Sequence, residues 1–351
     1  MAQFHSLKIK SIIRQTDKAV SITFEVPTTL KSEYTFTAGQ YITLKTVVDA
    51  KEIRRDYSLS SSPESELLTV TVKEIENGVF SSYANTQLKT GDALEVGIPN
   101  GRFVCDPKND RSDTIVAFAA GSGITPIMSI ARTVLGANSE KKFMLVYGNK
   151  SPKETIFYDE ILKLQSLHND RFKLQLVYSE TNEEGALFGR IDLGNINYIL
   201  KNTVTIDGSE TFYLCGPEGM IHTVNGVLSE KGVENSQILY ELFTTSTIKS
   251  NSNKSTTNGE SNITILVDEE ETTLEMSQKQ TILEAALAND LDVPYSCQGG
   301  VCSSCICRVT EGSATMRQNS VLTDNEVAEG LILSCQAEPT STTIKVDFDD
   351  I

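Results

Sequence analysis

The first 107 residues alternate hydrophobic and polar positions over short segments that glycine, proline and polar turns separate. A period of two residues is typical of a strand with one buried face, and no long stretch here has the 3.6-residue period of a helix. The pattern therefore predicts an antiparallel β-barrel over residues 1–107. Its strands are expected at Leu7–Ile13, Val20–Val26, Tyr41–Val47, Tyr57–Ser60, Leu67–Lys73 and Ala93–Val96.

From Thr114 onward, nearly continuous hydrophobic segments alternate with stretches of helical character. Continuous hydrophobic strands joined by helices indicate a parallel sheet that is covered on both faces. We therefore expect an α/β domain over residues 108–243. The expected strands are Thr114–Ala119, Phe143–Tyr147, Phe172–Tyr178, Thr211–Cys215 and Ile238–Leu242, with helices near Pro126, Thr155, Asn195 and Pro217.

Residues 244–262 are almost entirely Ser, Thr, Asn, Lys and Gly. Such a segment buries too little apolar surface to offset the entropy of ordering it, so it is predicted to be a flexible linker. A third domain of α+β character is expected over residues 263–351. Its predicted elements are strands at Ile263–Val267, Thr272–Met276 and Thr343–Phe348 and a helix near Thr281–Asn289.

The net charge of −16 disfavours two classes of binding partner. Nucleic acid and anionic membranes are bound through clustered Lys and Arg, so neither is expected as a partner. Most of the excess lies in residues 263–351, which hold 4 Lys and Arg against 16 Asp and Glu. The start of the chain lacks an apolar run of signal-peptide length, and Thr114–Ala131 is interrupted by glycine and proline, so we expect a cytoplasmic protein.

The seven cysteines are unevenly placed: Cys105 and Cys215 are isolated, whereas the others lie in the last domain. Cys297, Cys302 and Cys305 share one loop, and Cys335 follows at a distance. Four residues separate the first two and two separate the next pair, which is the plant-type 2Fe-2S spacing. An odd, clustered set of this kind argues against a disulfide framework. We predict that these four thiolates hold a 2Fe-2S cluster.

A zinc site is the main alternative, but structural zinc sites usually present two short-spaced pairs of ligands, and here the second half is a single cysteine. A Rieske centre needs two histidines, and the chain has only His5, His168 and His222, none near the loop. Cys307 lies two residues beyond a ligand on an expected strand. We therefore predict that Cys307 is a small buried hydrophobic residue.

Arg55-Asp56-Tyr57-Ser58 stands at a strand end in the barrel. Arginine can fork onto a pyrophosphate, tyrosine can lie along a flavin ring and serine can hydrogen-bond its edge, although the tetrapeptide alone also fits a surface strand. Lys73 ends a later strand. Gly78-Val79-Phe80-Ser81 follows a turn and is expected to begin a short helix whose free amides bind phosphate.

Gly121-Ser122-Gly123-Ile124-Thr125-Pro126 joins a strand to a helix in the α/β domain. It is not a Rossmann fingerprint, because Pro126 holds the last glycine position, but it still lets a pyrophosphate approach a helix N-terminus. Cys215-Gly216-Pro217-Glu218-Gly219-Met220 occupies another strand-to-helix junction. Taken alone, Cys215 fits a buried strand-end residue equally well.

In this order the motifs resemble those of the ferredoxin-NADP reductase superfamily over Leu7–Phe243, and Ile263–Ile351 resembles plant-type ferredoxins. The combination is similar to the reductase subunits of multicomponent oxygenases, most of all those of the phenylacetyl-CoA epoxidase type. The resemblance implies an FAD-binding barrel, an NAD(P)H-binding α/β domain and a β-grasp ferredoxin domain with a low-potential one-electron carrier.

The resemblance also implies residue roles. FAD is expected to be held by Arg55, Tyr57, Ser58, Val72, Lys73, Gly78, Val79 and Ser81. The nicotinamide nucleotide is expected at Gly121, Gly123, Thr125 and Pro126, with Cys215, Gly216, Pro217 and Met220 beside the nicotinamide. Ser58, Cys215 and Glu241 are the expected catalytic residues. Glu241 and Phe243 match an acidic-aromatic element near the flavin, although Phe243 equally fits a core position.

Ser179, at the end of a strand in the α/β domain, is also an expected cofactor-binding residue. Relatives that use NADPH commonly have serine and then arginine there, to pair with the 2′-phosphate. Here Glu180 follows instead, and its carboxylate favours NADH by repelling the phosphate and accepting from ribose hydroxyls. Lys150 and Arg190 are possible sources of the missing positive charge.

The predicted activity is electron transfer from NAD(P)H through FAD and the cluster to a separate oxygenase or another acceptor protein. One alternative is a stand-alone reductase that serves other hydroxylases or desaturases. A second is an electron-carrier or redox-sensor module with vestigial nucleotide sites. The oxygenase itself is disfavoured because a chain with three histidines has no histidine-carboxylate iron site.

Overall fold

The computed structural model describes residues 3–107, 112–137, 140–204, 206–243 and 259–351. These residues form two compact units: one is His5–Phe243, and the other contains residues 259–351. The predicted linker at 244–262 lies outside the described residues up to residue 258. Within the described ranges, no helix has both the length and the hydropathy needed to cross a membrane.

The N-terminal part of the first unit is an antiparallel barrel, as predicted. Its elements are strands β1 (Phe4–Thr16), β2 (Ala19–Glu25), β3 (Tyr41–Val48), β4 (Lys51–Ser58), β5 (Leu68–Lys73) and β6 (Ala93–Gly97) and helix α1 (Val79–Thr86). The strand order is β4-β3-β6-β1-β2-β5. A bridge between Leu59 and Val70 joins the two edges, so the sheet curls around a core that includes Ile22, Leu44 and Phe80.

Strand β4 differs most from its prediction, which was Tyr57–Ser60. The strand begins at Lys51 and pairs antiparallel with β3 along its whole length. Lys51, Glu52 and Arg55 are charged and exposed. The first half of β4 therefore lacks the alternation of hydrophobic and polar residues from which a strand is predicted. The strand ends at Ser58 because the main chain of Ser60 turns to bond Thr69 across the barrel.

The second part of this unit is a parallel α/β sheet, again as predicted. Its elements are strands β7 (Thr114–Ala120), β8 (Lys142–Asn149), β9 (Phe172–Tyr178), β10 (Leu187–Phe188), β11 (Glu210–Cys215) and β12 (Ile238–Glu241) and helices α2 (Ile124–Gly136), α3 (Tyr158–Leu167), α4 (Leu193–Asn202) and α5 (Glu218–Glu230). The strand order is β10-β9-β8-β7-β11-β12. Ile115, Val116 and Phe118 of the central strand are fully buried, because helices cover both faces.

The unit with residues 259–351 has a five-stranded mixed sheet in the order β14-β13-β19-β15-β17 and a separate β16–β18 pair. Its elements are β13 (Glu260–Val267), β14 (Glu270–Ser277), α6 (Ile282–Ala288), β15 (Ile306–Glu311), β16 (Ala314–Met316), α7 (Asp324–Ala328), β17 (Leu331–Leu333), β18 (Ala337–Pro339) and β19 (Thr343–Asp347). Strand β13 pairs parallel with β19 and begins at Glu260, three residues inside the predicted linker. The α+β prediction is confirmed.

Candidate functional site

Burial increases along the predicted flavin motif at the end of strand β4: Arg55 is exposed, Tyr57 half-buried and Ser58 buried. The Tyr57 ring packs at 5.4 Å from that of Phe80 in α1. Burial raises the pKa of Tyr57 well above its usual range, so the side chain stays a neutral phenol. The Arg55 guanidinium donates from Nη1 to the Arg54 carbonyl at 2.6 Å. Its predicted contact with a pyrophosphate stays a prediction.

Helix α1 begins at Val79, where the sequence predicted it, with Gly78 as its N-cap. A Cβ on Gly78 would overlap the side chains of Ser81 and Ile75. The Ser81 hydroxyl donates to the Gly78 carbonyl at 3.1 Å and accepts from the Ile75 amide at 3.2 Å. Ser81 therefore shapes the turn that begins α1, and phosphate binding by the first-turn amides stays a prediction.

Two residues that the sequence did not single out hold α1 in place. Asn85 donates from Nδ2 to the carbonyls of Val72 (3.2 Å) and Ser81 (2.9 Å). The Arg14 guanidinium donates to both the side-chain oxygen and the main-chain carbonyl of Asn85. Arg14 and Asn85 lie 71 positions apart, so no local pattern could have revealed the pair.

Lys73 connects the flavin strands to the glycine loop. It is the last residue of β5, and its Nζ lies 3.5 Å from where a Cβ on Gly121 would stand. Burial lowers the pKa of Lys73. The two predicted cofactor motifs therefore meet at this lysine.

The loop Gly121–Gly123 is a 3-10 turn that leads into α2. Gly121 has φ +56°, in the left-handed region that favours glycine. Gly123 has an ordinary φ, but a Cβ there would overlap the Cys215 carbonyl oxygen and lie 2.8 Å from the Gly216 nitrogen. Tyr147 donates to the Gly121 carbonyl at 3.0 Å, which fixes the turn.

The first turn of α2 contains Thr125 and Pro126, both buried. The Thr125 hydroxyl donates to the Ser122 carbonyl at 3.1 Å. These two residues therefore stabilise the glycine turn. Their predicted contact with the nucleotide pyrophosphate, at this helix N-terminus, stays a prediction.

The three expected catalytic residues are brought together. Parallel pairing of β11 and β12 sets Cys215 opposite Glu241, and Ser58 donates to Glu241 Oε2 at 3.1 Å from the barrel. Burial raises the pKa of Glu241 to about 8, although the Ser58 hydrogen bond favours the carboxylate. Burial and Glu241 also raise the pKa of the Cys215 thiol. At neutral pH all three side chains are uncharged.

This arrangement predicts the pH dependence of flavin reduction. Because the raised pKa keeps Glu241 neutral below about pH 8, the rate should fall as the pH rises through this value, where a carboxylate opposes negative charge developing nearby. Glu241→Gln keeps the hydrogen bond but does not titrate, so its rate should be flat through this region. Stopped-flow flavin bleaching across pH measures both.

A second variant tests the direction in which the alkaline limb of this pH profile should move. The Ser58 hydrogen bond lowers the pKa of Glu241, so Ser58→Ala should shift the alkaline limb to higher pH. A limb that persists unchanged in Glu241→Gln assigns the ionisation to another group.

The remaining residues of the second junction also lie at the carboxyl end of the sheet. Pro217 caps α5, and a Cβ on Gly216 would stand 2.8 Å from the Met220 methyl group. Phe243 follows β12 and is 36% exposed, so the core alternative for this residue is not supported. Its role beside the flavin stays a prediction.

Ser179 follows β9 directly, and its amide donates to the Asn149 carbonyl at 3.0 Å. Next to it, Glu180 Oε1 pairs with Lys150 Nζ at 3.1 Å, and both side chains are more than half exposed. Glu180 raises the pKa of Lys150 by this contact. Lys150 is therefore engaged by the carboxylate that was predicted to select the nucleotide.

The structure also gathers the four predicted cluster ligands. Cys302 and Cys297 have their sulfurs 3.1 Å apart, and the Gly299 amide donates to Cys297 Sγ at 3.3 Å. Hydrogen bonds from Cys302 and Cys335 lower the pKa of the Cys297 thiol, and one from Cys335 lowers that of Cys305, whereas the same contacts raise the pKa of Cys335. The close packing of the four sulfurs therefore favours the thiolate, the form that binds iron, at Cys297 and Cys305 and the protonated donor at Cys335.

The surroundings of the thiols fit a cluster. Ser296, next to Cys297, has a buried hydroxyl with no hydrogen-bond partner in the part of the chain that the structure describes. Gly300 has φ +72°, and a Cβ on it would press against Gln318 and Gln336. The sulfur atoms of a 2Fe-2S cluster would accept hydrogen bonds from main-chain amides of this loop and from the Ser296 hydroxyl.

Cys307 is not one of the clustered cysteines that are predicted to hold the 2Fe-2S cluster. It lies in β15 with no exposed surface, pairs with Ile332 and belongs to the hydrophobic core. Burial raises the pKa of its thiol. The prediction of a small buried hydrophobic residue is confirmed.

Three protein families match the chain and divide it as the fold does. Residues 6–105 match the oxidoreductase FAD-binding domain, and residues 118–226 match the oxidoreductase NAD-binding domain. Residues 265–340 match the 2Fe-2S iron-sulfur cluster binding domain. The predicted cofactors FAD, an NAD-type nucleotide and a 2Fe-2S cluster are thereby confirmed at the level of domains.

Full-length relatives share this organisation. The chain is 35% identical over 351 residues to a component of 1,2-phenylacetyl-CoA epoxidase from Escherichia coli K12, covering 99% of both chains. It is 31% identical to the ferredoxin reductase component of 3-ketosteroid-9-alpha-monooxygenase from Rhodococcus rhodochrous, covering 97% of this chain and 96% of the relative. Its fold is similar to that of phthalate dioxygenase reductase, with a TM-score of 0.62, 24% identity and 98% coverage of both chains.

Proposed function

The chain belongs to the ferredoxin-NADP-reductase-type oxidoreductases that combine FAD-binding, NAD-binding and C-terminal 2Fe-2S domains, and from this premise we propose that it supplies electrons to an oxygenase of the phenylacetyl-CoA epoxidase type. When bound, FAD accepts a hydride from NAD(P)H and the 2Fe-2S cluster passes electrons on singly. The observation that carries the proposal is the convergence of Ser58, Cys215 and Glu241 where the flavin and nucleotide motifs meet.

The chain's own residues supply binding and orientation. Arg55 and the α1 amides would hold the flavin pyrophosphate, and Tyr57 would pack along its ring. The Gly121–Gly123 turn would receive the nucleotide pyrophosphate at the start of α2. Neutral Glu241 and Ser58 would leave the hydride path free of fixed charge. Such a site acts mainly through proximity and orientation.

The acidic C-terminal unit supports an acceptor protein with a basic surface. Three of its four cationic side chains are already paired with acids, in Arg308–Asp350, Arg317–Glu338 and Lys345–Glu271. Four cations cannot offset 16 acidic residues, so residues 263–351 keep a large negative excess. Long-range attraction of this kind speeds encounter and is screened over about 8 to 10 Å at physiological salt.

The experiment that tests this partner measures reduction of a purified phenylacetyl-CoA-type oxygenase component across a salt series. The second-order rate should fall steeply with salt, whereas NADH-driven flavin reduction in the same samples changes little, because only the protein encounter is steered. A flat profile would show that the acidic surface acts in solubility alone. Efficient reduction of a desaturase or a free ferredoxin, with none of the oxygenase, would favour the stand-alone reductase.

For the nucleotide we propose a preference for NADH. We expect a 2′-phosphate to be read next to Glu180, and Lys150 is already paired with this carboxylate at 3.1 Å. Glu180→Arg should raise the kcat/KM ratio of NADPH over NADH by about 10-fold or more, which is worth roughly 1.4 kcal/mol. Steady-state kinetics with both nucleotides measures the change. A preference for NADPH in the unmodified protein overturns the proposal.

A cytoplasmic location fits the chemistry of the cysteines. None of the seven cysteines, all of which lie in described residues, forms a disulfide. A reducing compartment keeps cysteines in the reduced form that can ligate a cluster. Recovery of the protein in the periplasmic or membrane fraction of its host would contradict this assignment.

A further inference from the structure

The turn after β4 is a contact point between the barrel and the α/β domain. Ser129 and Arg132 lie three residues apart on α2, so they share one helix face. The buried Ser129 hydroxyl donates to the Ser61 carbonyl at 2.6 Å, and Arg132 Nη1 donates to the Ser60 carbonyl. Two adjacent carbonyls of the barrel thus accept from one helix of the other domain.

On the barrel side these serines are fixed. The Ser61 hydroxyl donates to the Leu67 carbonyl at 2.5 Å and accepts from the Thr69 amide at 3.2 Å. The Ser60 hydroxyl lies 3.2 Å from that of Thr71 in β5. The two carbonyls that accept from α2 therefore belong to a hydrogen-bonded turn, which begins two residues after Ser58.

On the other side Arg132 is fixed as well. Its Nε and Nη2 form a two-pronged ion pair with Glu160 of α3, at 3.0 and 2.6 Å. The guanidinium carbon also lies 5.1 Å from the ring centre of Phe157, which caps α3 with φ +62°, a conformation that a bulky residue rarely adopts. The Arg132 side chain is only 20% exposed. One guanidinium thus joins α2, α3 and the barrel.

The position of Arg132 connects both halves of the hydride site. Helix α2 begins at the glycine turn that is expected to hold the nucleotide, and the serine turn ends the strand that is expected to hold the flavin. We propose that Arg132 is a positioning residue for hydride transfer, which sets the nucleotide-binding turn against the flavin-binding strand without contacting either cofactor. This inference rests on the proposed reductase function. Misplacement of reacting groups by about 1 Å can cost about 100-fold in rate.

The test replaces Arg132 in the full-length FAD-loaded protein. Arg132→Met keeps the length of the stem but removes the fork, and it should lower the limiting rate of NADH-driven flavin reduction about 10- to 100-fold. FAD content and the dissociation constant for NADH should stay within about twofold, and the deuterium isotope effect should rise as hydride transfer becomes slower. Arg132→Lys, which keeps the charge and one donor, should recover part of the rate.

Arg171→Met is the matched control, because Arg171 donates to the Leu135 carbonyl on the same helix α2 but within the α/β domain. Its limiting rate should equal that of the unmodified protein. Equal rates for Arg132→Met and the unmodified protein overturn the inference, as does a loss explained entirely by lost FAD.

A second readout does not depend on turnover. Hydrogen exchange of peptides covering residues 59–67 and 120–128 should be faster in Arg132→Met and unchanged in Arg171→Met, since only the former removes one of the two hydrogen bonds that join α2 to the turn after β4. Unchanged exchange contradicts the positioning role even if the protein proves not to be a reductase. Faster exchange in a chain that NADH and NADPH both fail to reduce would instead contradict the proposed function and leave the Arg132 contact standing.

Discussion

Cys302→Ser is expected to lose the 2Fe-2S cluster and to reduce electron delivery to the acceptor protein to background. The sulfur of Cys302 lies 3.1 Å from that of Cys297, another predicted ligand, and a serine hydroxyl is a far poorer ligand for this cluster. NADH-driven dye reduction should stay within about twofold, because the FAD-binding and NAD-binding domains form a separate compact unit. Iron analysis and ferricyanide turnover measure the two effects.

Cys307→Ala is the matched control for this prediction. Cys307 lies two residues beyond Cys305, but it is fully buried in the core on β15. Its replacement should keep the iron content and the acceptor activity at a small cost in stability. Loss of flavin reduction together with the iron in Cys302→Ser would contradict the modular organisation.

Gly123→Ala is expected to lower NADH-driven flavin reduction by about 100-fold. The φ of Gly123 suits alanine, so the effect arises from space: the new Cβ would overlap the Cys215 carbonyl oxygen. Main-chain atoms cannot rotate away, so either the glycine turn or the end of β11 must shift. We also expect a stability loss of about 1–3 kcal/mol from overpacking. Stopped-flow bleaching and thermal unfolding measure these effects.

Gly226→Ala provides the comparison. Gly226 lies within α5 with nothing within 4 Å of an added Cβ, so alanine should stabilise the helix by up to about 1 kcal/mol and leave the rate unchanged. Equal rates for Gly123→Ala and Gly226→Ala would show that the close approach of Gly123 to Cys215 has no part in hydride transfer.

The sequence predicted those parts of the fold that carry a strong local signal. The period-two pattern placed β2 and β5 to within a residue, and continuous hydrophobic runs placed β7 and β9. The cysteine spacing predicted that the four cluster ligands lie together, because three of them share one loop. The sequence also showed, as a motif, the positions where the structure requires glycine, such as Gly121 and Gly123.

The parts that sequence reasoning missed are short or depend on distant residues. Strands β10 and β16 have two and three residues, too few for a periodic signal. The first half of β4 is strongly charged, and it is a strand only because β3 pairs with it. Arg132 reads as an ordinary helix-surface arginine until the fold brings it to Ser60, 72 positions away.

The central claim is that electrons enter from a nicotinamide nucleotide and leave through the thiol-bound cluster of the same chain. Anaerobic rapid mixing of the loaded protein with NADH tests it most directly, with absorbance for the flavin and electron paramagnetic resonance for the cluster. The account predicts flavin bleaching first, then cluster reduction at a rate independent of protein concentration, with uptake of about three electrons per chain. A cluster that stays oxidised while the flavin bleaches, or a flavin that neither NADH nor NADPH reduces, would contradict it.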